Sequence, residues 1–435
     1  MPLAKSRLKK IFFAALLFGA CYLLHTGWVV AISLFVLAVY FQCRHLEKKA
    51  TLLNLSLILV IIYAVAYFTL RQGYADYYIP FLAVPLLAMT LLGELEVSFL
   101  LCLAAATLVS SVAADIHCGV IFFTSSIFAS ILTQRPRRRM AIIRIGLLAG
   151  LLQAVLFFLA EGYRFGLMDR YILFALNGLA CGIIVLGVLP IFEYFFKTVT
   201  TISLLELSDF NHPLLQRMIL EAPGTYHHSL VVGNLSEAAC YEVGANALLA
   251  RIGAYYHDIG KLQKPEYFSE NQTAQESKHD SLSPTMSKMV IMNHVKEGME
   301  LANKFKLNPR ITDFIIRHHG NSLVYYFYRR ALESSEDVEG IKEEGFRYPG
   351  PKPNTKETAI VMLADSVEAA MRTLKDHAPA SIEEAVHKII NNKFIDRQLD
   401  ECDLTLKDLE KISAVFIRIL SGIYHNRITY PEHSH

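Results

Sequence analysis

The stretch Gly253-Ala-Tyr-Tyr-His-Asp-Ile-Gly-Lys261 places an imidazole and a carboxylate on consecutive residues, His257 and Asp258. Both side chains can face one metal ion, and the second oxygen of the carboxylate can reach another. A two-metal site that hydrolyses phosphodiesters combines neutral imidazoles with ionised carboxylates, one of them shared between ions about 3.5–4 Å apart. Further residues of these types occupy the same half of the chain: His228, His294, His318, His319 and Asp365.

The residues around this stretch repeat apolar side chains at helical spacing, and no alternating strand pattern with turn residues occurs among them. We therefore predict an all-α domain. A segment rich in proline, glycine and basic residues, 345–356, suits a lid or a substrate-facing loop. The predicted helices cover residues 204–207, 230–243, 247–256, 284–305, 309–319 and 358–374.

The residues before Lys197 hold most of the apolar excess of the chain. Hydrophobic residues make up 53% of the 435 residues, and the mean hydropathy of +0.34 is too high for a soluble protein of this length. An N-terminal polytopic transmembrane helical bundle is expected, with about eight helices. Seven is the alternative count, since only His25-Thr-Gly27 separates the first two segments. The apolar segments are 11–24, 28–41, 51–70, 79–92, 97–113, 120–132, 140–160 and 171–196.

Positive charge predicts the orientation of these helices. With eight crossings, the basic N-terminus, Lys48-Lys49 and Arg135-Pro-Arg-Arg-Arg139 all face the cytoplasm, and no dense basic cluster lies outside. The C-terminal half is then cytoplasmic as well. The basic N-terminus shows no convincing cleavage site, so we expect its apolar run to be retained as a helix.

The cysteines and the net charge exclude several classes of protein. Seven cysteines contain no CxxC pair, which argues against a disulfide framework and against zinc-finger spacing. The net charge is only +2, and no basic patch is interleaved with aromatic residues. A nucleic-acid polymer is therefore not an expected partner, and no glycine-rich phosphate loop of the usual spacing is present.

Five blocks of sequence, in order, resemble the membrane-embedded HD-domain phosphodiesterases. In that family a multi-pass membrane region precedes a cytoplasmic HD domain that hydrolyses cyclic di-AMP. Family members usually carry a large extracytoplasmic domain after the first membrane helix, and this sequence is expected to lack it. The blocks are Glu221-Ala-Pro-Gly-Thr-Tyr-His-His-Ser229, residues 253–261, Arg317-His-His-Gly320, Phe346-Arg-Tyr-Pro-Gly-Pro351 and Ala364-Asp-Ser-Val-Glu-Ala-Ala370.

The resemblance implies two sets of metal ligands that share Asp258. The first set is His228, His257, Asp258 and Asp365, with His228 preferred over His227; the second adds His294, His318 and His319. Asp365 follows the apolar run 360–364, where an unpaired carboxylate would be costly and a metal is a natural partner. Without sulfur ligands, the expected cofactors are two divalent transition-metal ions, manganese or iron. They would activate a hydroxide for attack on phosphorus.

Several cations are placed to meet the charge of a phosphate. Lys261 lies one turn after His257, and Arg372 lies two turns after Asp365. Arg347 and Tyr348, in the 345–356 loop, are further candidates for substrate binding. Asp258 and Lys261 are the predicted catalytic residues, and a solvated position on a helix surface is the alternative for each cation.

The predicted protein is an integral-membrane phosphodiesterase of the bacterial inner membrane that converts cyclic di-AMP to pApA. Its expected parts are a transmembrane domain (1–196), a connecting segment (197–220), an HD domain (221–425) and a tail (426–435). Alternatives are hydrolysis of another nucleotide, guanosine tetraphosphate-type or cyclic di-GMP, and a membrane sensor that only binds nucleotide. Expected partners are a cyclic dinucleotide, the lipid bilayer and, as one option for assembly, a second copy in a homodimer.

Overall fold

The computed structural model of the chain describes residues 49–134, 136–161, 167–272, 277–334 and 340–424. The chain divides into two compact units, with the boundary between Ser203 and Leu204. Within the described ranges the regular structure is helical, and the one β-type pairing is an isolated antiparallel bridge between Leu323 and Arg347. The predicted all-α class is confirmed.

The N-terminal unit contains six described α-helices before the connecting segment. Three of them, α3, α5 and α6, are long and apolar enough to cross a membrane, and three shorter apolar helical segments accompany them. The helices are α1 (Lys49–Arg71), α2 (Ala83–Leu92), α3 (Leu95–Ala113), α4 (Ile116–Leu132), α5 (Arg139–Glu161) and α6 (Met168–Phe196).

These six helices correspond to six of the eight predicted apolar segments. Helix α4 begins four residues before the predicted segment because the Asp115 side chain accepts a hydrogen bond from His117 N at 2.8 Å and caps the helix. The predicted segments 11–24 and 28–41 lie outside the described residues. The count of seven or eight crossings therefore stays a prediction.

The N-terminal unit combines an apolar outer surface with small and polar residues in its interior. Large apolar side chains of α5 and α6, among them Leu159, Ile183 and Tyr194, are exposed, which suits contact with lipid. Inside, Ser98 and Ser130 hydrogen-bond across α3 and α4 at 2.9 Å. Such interhelical hydrogen bonds replace the water that a bilayer does not supply.

Helices α5 and α6 approach each other through glycine. A Cβ atom on Gly178 of α6 would overlap the backbone of Gly146 and Gly150 on α5, so only hydrogen fits between the two backbones. Small residues at such crossings let transmembrane helices pack closely. The glycines therefore define where α6, which leads toward the C-terminal unit, lies against α5.

The C-terminal unit is a set of helices around α14, which is buried along most of its length. Five of these helices begin with proline, at a position where its missing N–H costs nothing. The helices are α7 (Thr201–Leu207, which spans the boundary), α8 (Pro213–Glu221), α9 (Pro223–Glu242), α10 (Ala247–Tyr256), α11 (Pro284–Lys304), α12 (Pro309–Arg317), α13 (Tyr325–Ser334), α14 (Lys356–Thr373), α15 (Pro379–Ile395) and α16 (Leu406–Ile423).

Several of these elements differ from the sequence prediction. Helix α9 begins at Pro223, seven residues before the predicted start, because the polar residues of its first two turns hid the helical pattern. Helices α8, α13, α15 and α16 were not predicted. The 345–356 segment contains no α-helix before Lys356 and overlaps one short 3-10 turn, Glu343–Phe346. Short 3-10 turns also occur among the described residues between 265 and 281.

The glycine contact between α5 and α6 predicts a difference in stability between two alanine variants. Gly178→Ala should lower the free energy of unfolding by about 1–3 kcal/mol, since its Cβ must displace backbone atoms. Gly187→Ala, on the same helix with no atom within 4 Å of its Cβ, is the matched control. Thermal unfolding of full-length protein in detergent measures both; equal stability of the two variants would contradict the close packing.

Candidate metal centre

The seven predicted ligands come from five helices and their ends. His228 lies on α9, His294 in the middle of α11 and Asp365 in the middle of α14, while the other four follow the last residues of α10 and α12. Glycine allows this convergence: a Cβ on Gly260, two residues after Asp258, would overlap the backbone carbonyl of His294. The turn that carries Asp258 therefore lies directly against α11.

The two carboxylate oxygens of Asp258 face different pairs of histidines. Its Oδ2 lies 3.1 Å from His257 Nε2 and 3.5 Å from His228 Nε2. Its Oδ1 lies 3.4 Å from His294 Nε2 and 3.5 Å from His318 Nε2. One buried carboxylate thus stands between two pairs of imidazoles.

Asp365 spans the same centre from the other side. Its Oδ1 lies 3.0 Å from His228 Nε2 and 3.8 Å from His257 Nε2, and its Oδ2 lies 3.8 Å from His319 Nδ1. His319 is the most open of the five predicted ligand histidines, with 22% of its side chain exposed. The neighbouring His227, by contrast, is exposed on the outer surface of α9.

Two groups of four residues have ligand atoms that lie within 4.8 Å of one another. One is His228, His257, Asp258 and Asp365; the other is Asp258, His294, His318 and His319. These are the two sets that the resemblance implied, with Asp258 in both. The structure brings all seven residues together, and the cluster can hold a metal ion.

Four of the histidines are oriented so that Nε2 faces the centre of the cluster. A backbone carbonyl accepts from Nδ1–H in three of them: Ala254 O for His257 at 2.6 Å, Ile291 O for His294 at 2.5 Å, and Phe314 O and Ile315 O for His318, each at 3.0 Å. Because a carbonyl only accepts, the neutral ring carries its proton on Nδ1. The fourth, His228, contacts Glu368 through Nδ1 at 2.5 Å.

Buried atoms without hydrogen-bond partners show that the cluster fits a metal. His228 Nε2, His257 Nε2 and Asp258 Oδ1 are buried and have no hydrogen-bond partner in the described part of the chain. Polar atoms left this way are costly unless a ligand satisfies them. The donors are imidazole nitrogens and carboxylate oxygens, a set that suits divalent transition metals.

Both carboxylates of the cluster are ionised. Burial alone would raise the pKa of Asp258, but His257 and Lys261 hold it well below its usual range. Burial likewise opposes ionisation of Asp365, and His228 and His257 hold its pKa well below the usual range. The cluster therefore presents negative charge at the point where the free Nε2 atoms converge.

Lys261 lies at the edge of the cluster, held by two carboxylates. Its Nζ is 2.8 Å from Asp258 Oδ2 and 2.7 Å from Glu270 Oε1. Glu270 also accepts from the Thr225 hydroxyl at 3.2 Å, which ties this pair to the start of α9. The ammonium is thus positioned beside the shared carboxylate, and its contact with phosphate stays a prediction.

The other three predicted substrate contacts have different surroundings. Arg372 pairs with Glu368 at 2.8 Å, behind His228. Arg347 pairs with Glu343 at 2.6 Å and with Asp396 at 2.8 Å, so a substrate would have to compete with these carboxylates. Tyr348 is buried with its ring stacked on His319, the centroids 4.3 Å apart.

Two residues of this site were not assigned from the sequence. Glu368 accepts from His228 and pairs with Arg372, and Glu270 holds Lys261. Glu368 had a detectable signal, since it lies three residues after Asp365 and four before Arg372 on one helix surface. Glu270 lies in a segment without a regular helix, so its distance along the chain from Lys261 does not indicate that the two side chains are neighbours.

Comparison with known families agrees with this arrangement. The family described as "7TM receptor with intracellular HD hydrolase" matches residues 11–200, and the HD domain family matches residues 225–370. The two matches follow each other in the order of the two structural units. The chain thus combines a match to 7TM receptors with an intracellular HD hydrolase and a match to HD domains. It is therefore a membrane protein with an HD domain.

Two of the curated relatives are named cyclic-di-AMP phosphodiesterase PgpH. The chain is 49% identical over 256 residues to cyclic-di-AMP phosphodiesterase PgpH of Bacillus subtilis (strain 168), covering 59% of this chain and 36% of that protein. It is 35% identical over 431 residues to PgpH of Listeria monocytogenes serotype 1/2a (strain 10403S), covering 93% of this chain and 58% of that protein. The chain thus spans about a third to three fifths of the length of these relatives.

A solved structure is also similar to part of this chain. The crystal structure of the HD domain of L. monocytogenes phosphodiesterase PgpH in complex with cyclic-di-AMP is 45% identical to this chain. The match covers 50% of this chain and all of that chain, with a TM-score of 0.48.

The contact between Glu368 and His228 predicts that a variant without the Glu368 carboxylate binds metal more weakly. Glu368→Ala removes the acceptor that orients His228, and metal affinity should fall about 10- to 100-fold, as for other partners behind a ligating histidine. Manganese content after equilibration at defined free metal, measured by elemental analysis, gives the affinity. Glu384→Ala, which changes an exposed carboxylate on α15, should bind metal as the parent does. Equal affinity of the two variants would show that Glu368 does not support the site.

Proposed function

We propose that this chain is an integral-membrane phosphodiesterase that uses two divalent metal ions to hydrolyse cyclic di-AMP to pApA. The observation that carries the proposal is Asp258, whose two oxygens face separate pairs of histidines. A binding module has no need of a carboxylate placed between two complete sets of ligands. The substrate follows from the names of the curated relatives.

The ligand roles follow from the geometry. His228, His257, Asp258 and Asp365 would hold one ion, and Asp258, His294, His318 and His319 would hold the other. Bound divalent ions supply Lewis-acid stabilisation of phosphate oxygens and lower the pKa of water. The donor set suits manganese or iron, and the choice between them stays a prediction.

The remaining residues of the site position charge around the phosphate. Lys261, held between Asp258 and Glu270, brings an ammonium to the edge where negative charge builds up on phosphate oxygens. Tyr348 stacks on His319 and covers part of that imidazole. Glu368 keeps His228 in the orientation that directs Nε2 inward.

The proposed domain arrangement places the metal centre in the cytoplasm. Residues 1–196 form the transmembrane domain of an inner-membrane protein, 197–220 the connection, 221–425 the HD domain and 426–435 a tail. Positive charge in the short segments between apolar stretches, such as Arg137 and Arg138, supports this orientation. Assembly as a homodimer stays a prediction.

The proposal predicts two metal ions per chain. Full-length protein purified in detergent without chelator should contain close to two manganese or iron ions by elemental analysis. Asp258→Ala should lose most of both, because it removes the ligand common to both groups. A reproducible content near one, with full activity, would contradict a two-metal site.

The proposed role of Asp258 also predicts how its replacement changes the turnover number. Asp258→Ala should lower kcat for cyclic di-AMP by several orders of magnitude, since metal assistance contributes several kcal/mol and each ~1.4 kcal/mol is tenfold. Release of pApA, followed by chromatography, measures the rate. Asp400→Ala changes an exposed carboxylate and should keep the parental rate.

A comparison of substrates distinguishes the proposed activity from hydrolysis of another nucleotide and from a sensor that only binds nucleotide. Cyclic di-AMP, cyclic di-GMP and a guanosine tetraphosphate are offered in parallel to the full-length protein with metal. Faster hydrolysis of one of the guanine nucleotides would replace the proposed substrate. Binding of nucleotide with no turnover, in protein that contains two metal ions, would identify a sensor and overturn the proposed activity.

A further inference from the structure

Lys393 approaches the metal centre from α15, a helix that lies beyond residues 225–370, where the HD domain match ends. Its Nζ donates a hydrogen bond to Ser322 Oγ at 2.8 Å. The backbone carbonyl of Ser322 accepts from Tyr348 N at 3.0 Å, and the Tyr348 ring stacks on His319. The ammonium is therefore connected to the His319 side of the cluster.

The end of α15 is held firmly against the loop that carries Ser322. Asn321 N donates to Gln398 Oε1 at 3.1 Å, and Gln398 Nε2 donates back to Asn321 Oδ1 at 2.7 Å. Arg347 bonds to Asp396 at 2.8 Å and to Asn321 O at 2.9 Å. These contacts fix the position of Lys393 relative to the loop, so its ammonium is already in place before a ligand binds.

The charge on Lys393 lacks the partner that the other cations of the site have. Lys261, Arg347 and Arg372 each pair with carboxylates at 2.6–2.8 Å. Within the described ranges, no carboxylate oxygen forms an ion pair with Lys393, and its one hydrogen bond goes to a hydroxyl. Burial, together with the nearby charge of Arg347, lowers the pKa of Lys393 below its usual value, and the carboxylates of Asp365 and Asp396 only partly oppose this effect. The ammonium is close enough to be influenced by the negative charge of the cluster, but it forms no ion pair with the described carboxylates. Its positive charge can therefore stabilise an anion that binds beside it.

We propose that Lys393 binds the second, non-reacting phosphate of a cyclic dinucleotide while the first lies at the metal centre. This inference rests on the proposed function. The reacting phosphate belongs where the ligand atoms converge. Lys393 makes no ion pair with Asp258 or Asp365 and is linked, through Ser322 and Tyr348, to His319, the most exposed histidine of the cluster. A cyclic dinucleotide carries its two phosphodiesters in one ring, so the second lies next to the first. Lys393 then favours dinucleotides over single phosphodiesters.

The test compares two substrates in the full-length protein loaded with metal. Lys393→Met keeps the length of the side chain and removes its charge, so KM for cyclic di-AMP should rise about tenfold or more, with kcat nearly unchanged. Hydrolysis of bis(p-nitrophenyl) phosphate, which has one phosphodiester, should not change. Lys388→Met, an exposed lysine on the same helix, is the matched control and should leave both substrates unaffected.

Two results would overturn the inference. An unchanged KM for cyclic di-AMP in folded, metal-loaded Lys393→Met protein shows that no phosphate is bound there. Equal losses on both substrates place Lys393 at the reacting phosphate instead. If the methionine variant does not fold, Lys393→Arg should keep KM within a few-fold of the parental value, and Ser322→Ala should raise KM for the dinucleotide only; failure of either also overturns it.

Failure of the proposed function gives a different result. The parental protein, with its metal ions in place, would then hydrolyse bis(p-nitrophenyl) phosphate but not cyclic di-AMP. Failure of the inference alone leaves parental hydrolysis of cyclic di-AMP intact and removes only the difference between Lys393→Met and Lys388→Met.

Discussion

The contacts of the Asp258 carboxylate are the constraint around which the C-terminal unit is arranged. A buried carboxylate is expensive unless it is paired, and this one is approached by four imidazoles and by Lys261. Those groups come from separate helices, so α9, α10, α11 and α12 must pack at one point. The overlap that a side chain on Gly260 would cause shows how little room this packing leaves.

A second layer of contacts determines what the imidazoles can do. Backbone carbonyls at the ends of turns take the Nδ1 protons of His257, His294 and His318, and Glu368 takes this role for His228. The helices thus provide both the positions and the tautomers of the ligands. Carboxylates also hold Lys261 and Arg372 in place, whereas among the described residues the ammonium of Lys393 hydrogen-bonds only to the Ser322 hydroxyl.

The N-terminal unit follows a different physical rule from the C-terminal one. Its outer surface exposes many large apolar residues, and its interior adds small and hydroxyl-bearing residues to an apolar core. Lipid is as apolar as the side chains, so the helices gain by close backbone contact. Glu193, near the end of α6, is buried and accepts hydrogen bonds from Thr200 N and Ser203 Oγ, each at 2.8 Å. The transmembrane helix therefore ends in a defined turn before α7.

Much of this organisation could be predicted from the sequence, because it depends on composition and on local order. The apolar segments, the all-α class and the residue types of the metal cluster are local properties: hydropathy, periodicity and the His-Asp pair are visible without knowledge of the fold. The sequence also contained the pattern Asp365, Glu368 and Arg372 on one helix surface, although the role of Glu368 was not assigned from it.

The tertiary structure decided which distant residues share the site. Spacing along the chain predicts contacts within one helix only, so the contact between Glu368 and His228, 140 residues apart, was not foreseen. The same holds for Glu270 beside Lys261 and for Lys393, which lies on a helix that was not predicted at all. Arg347, assigned from its loop, has its guanidinium occupied by Glu343 and Asp396, and such competition among charges is decided only when the helices pack. Residue types and their local order thus determined the chemistry available to this protein, whereas long-range packing determined which groups are paired and which remain available to a ligand.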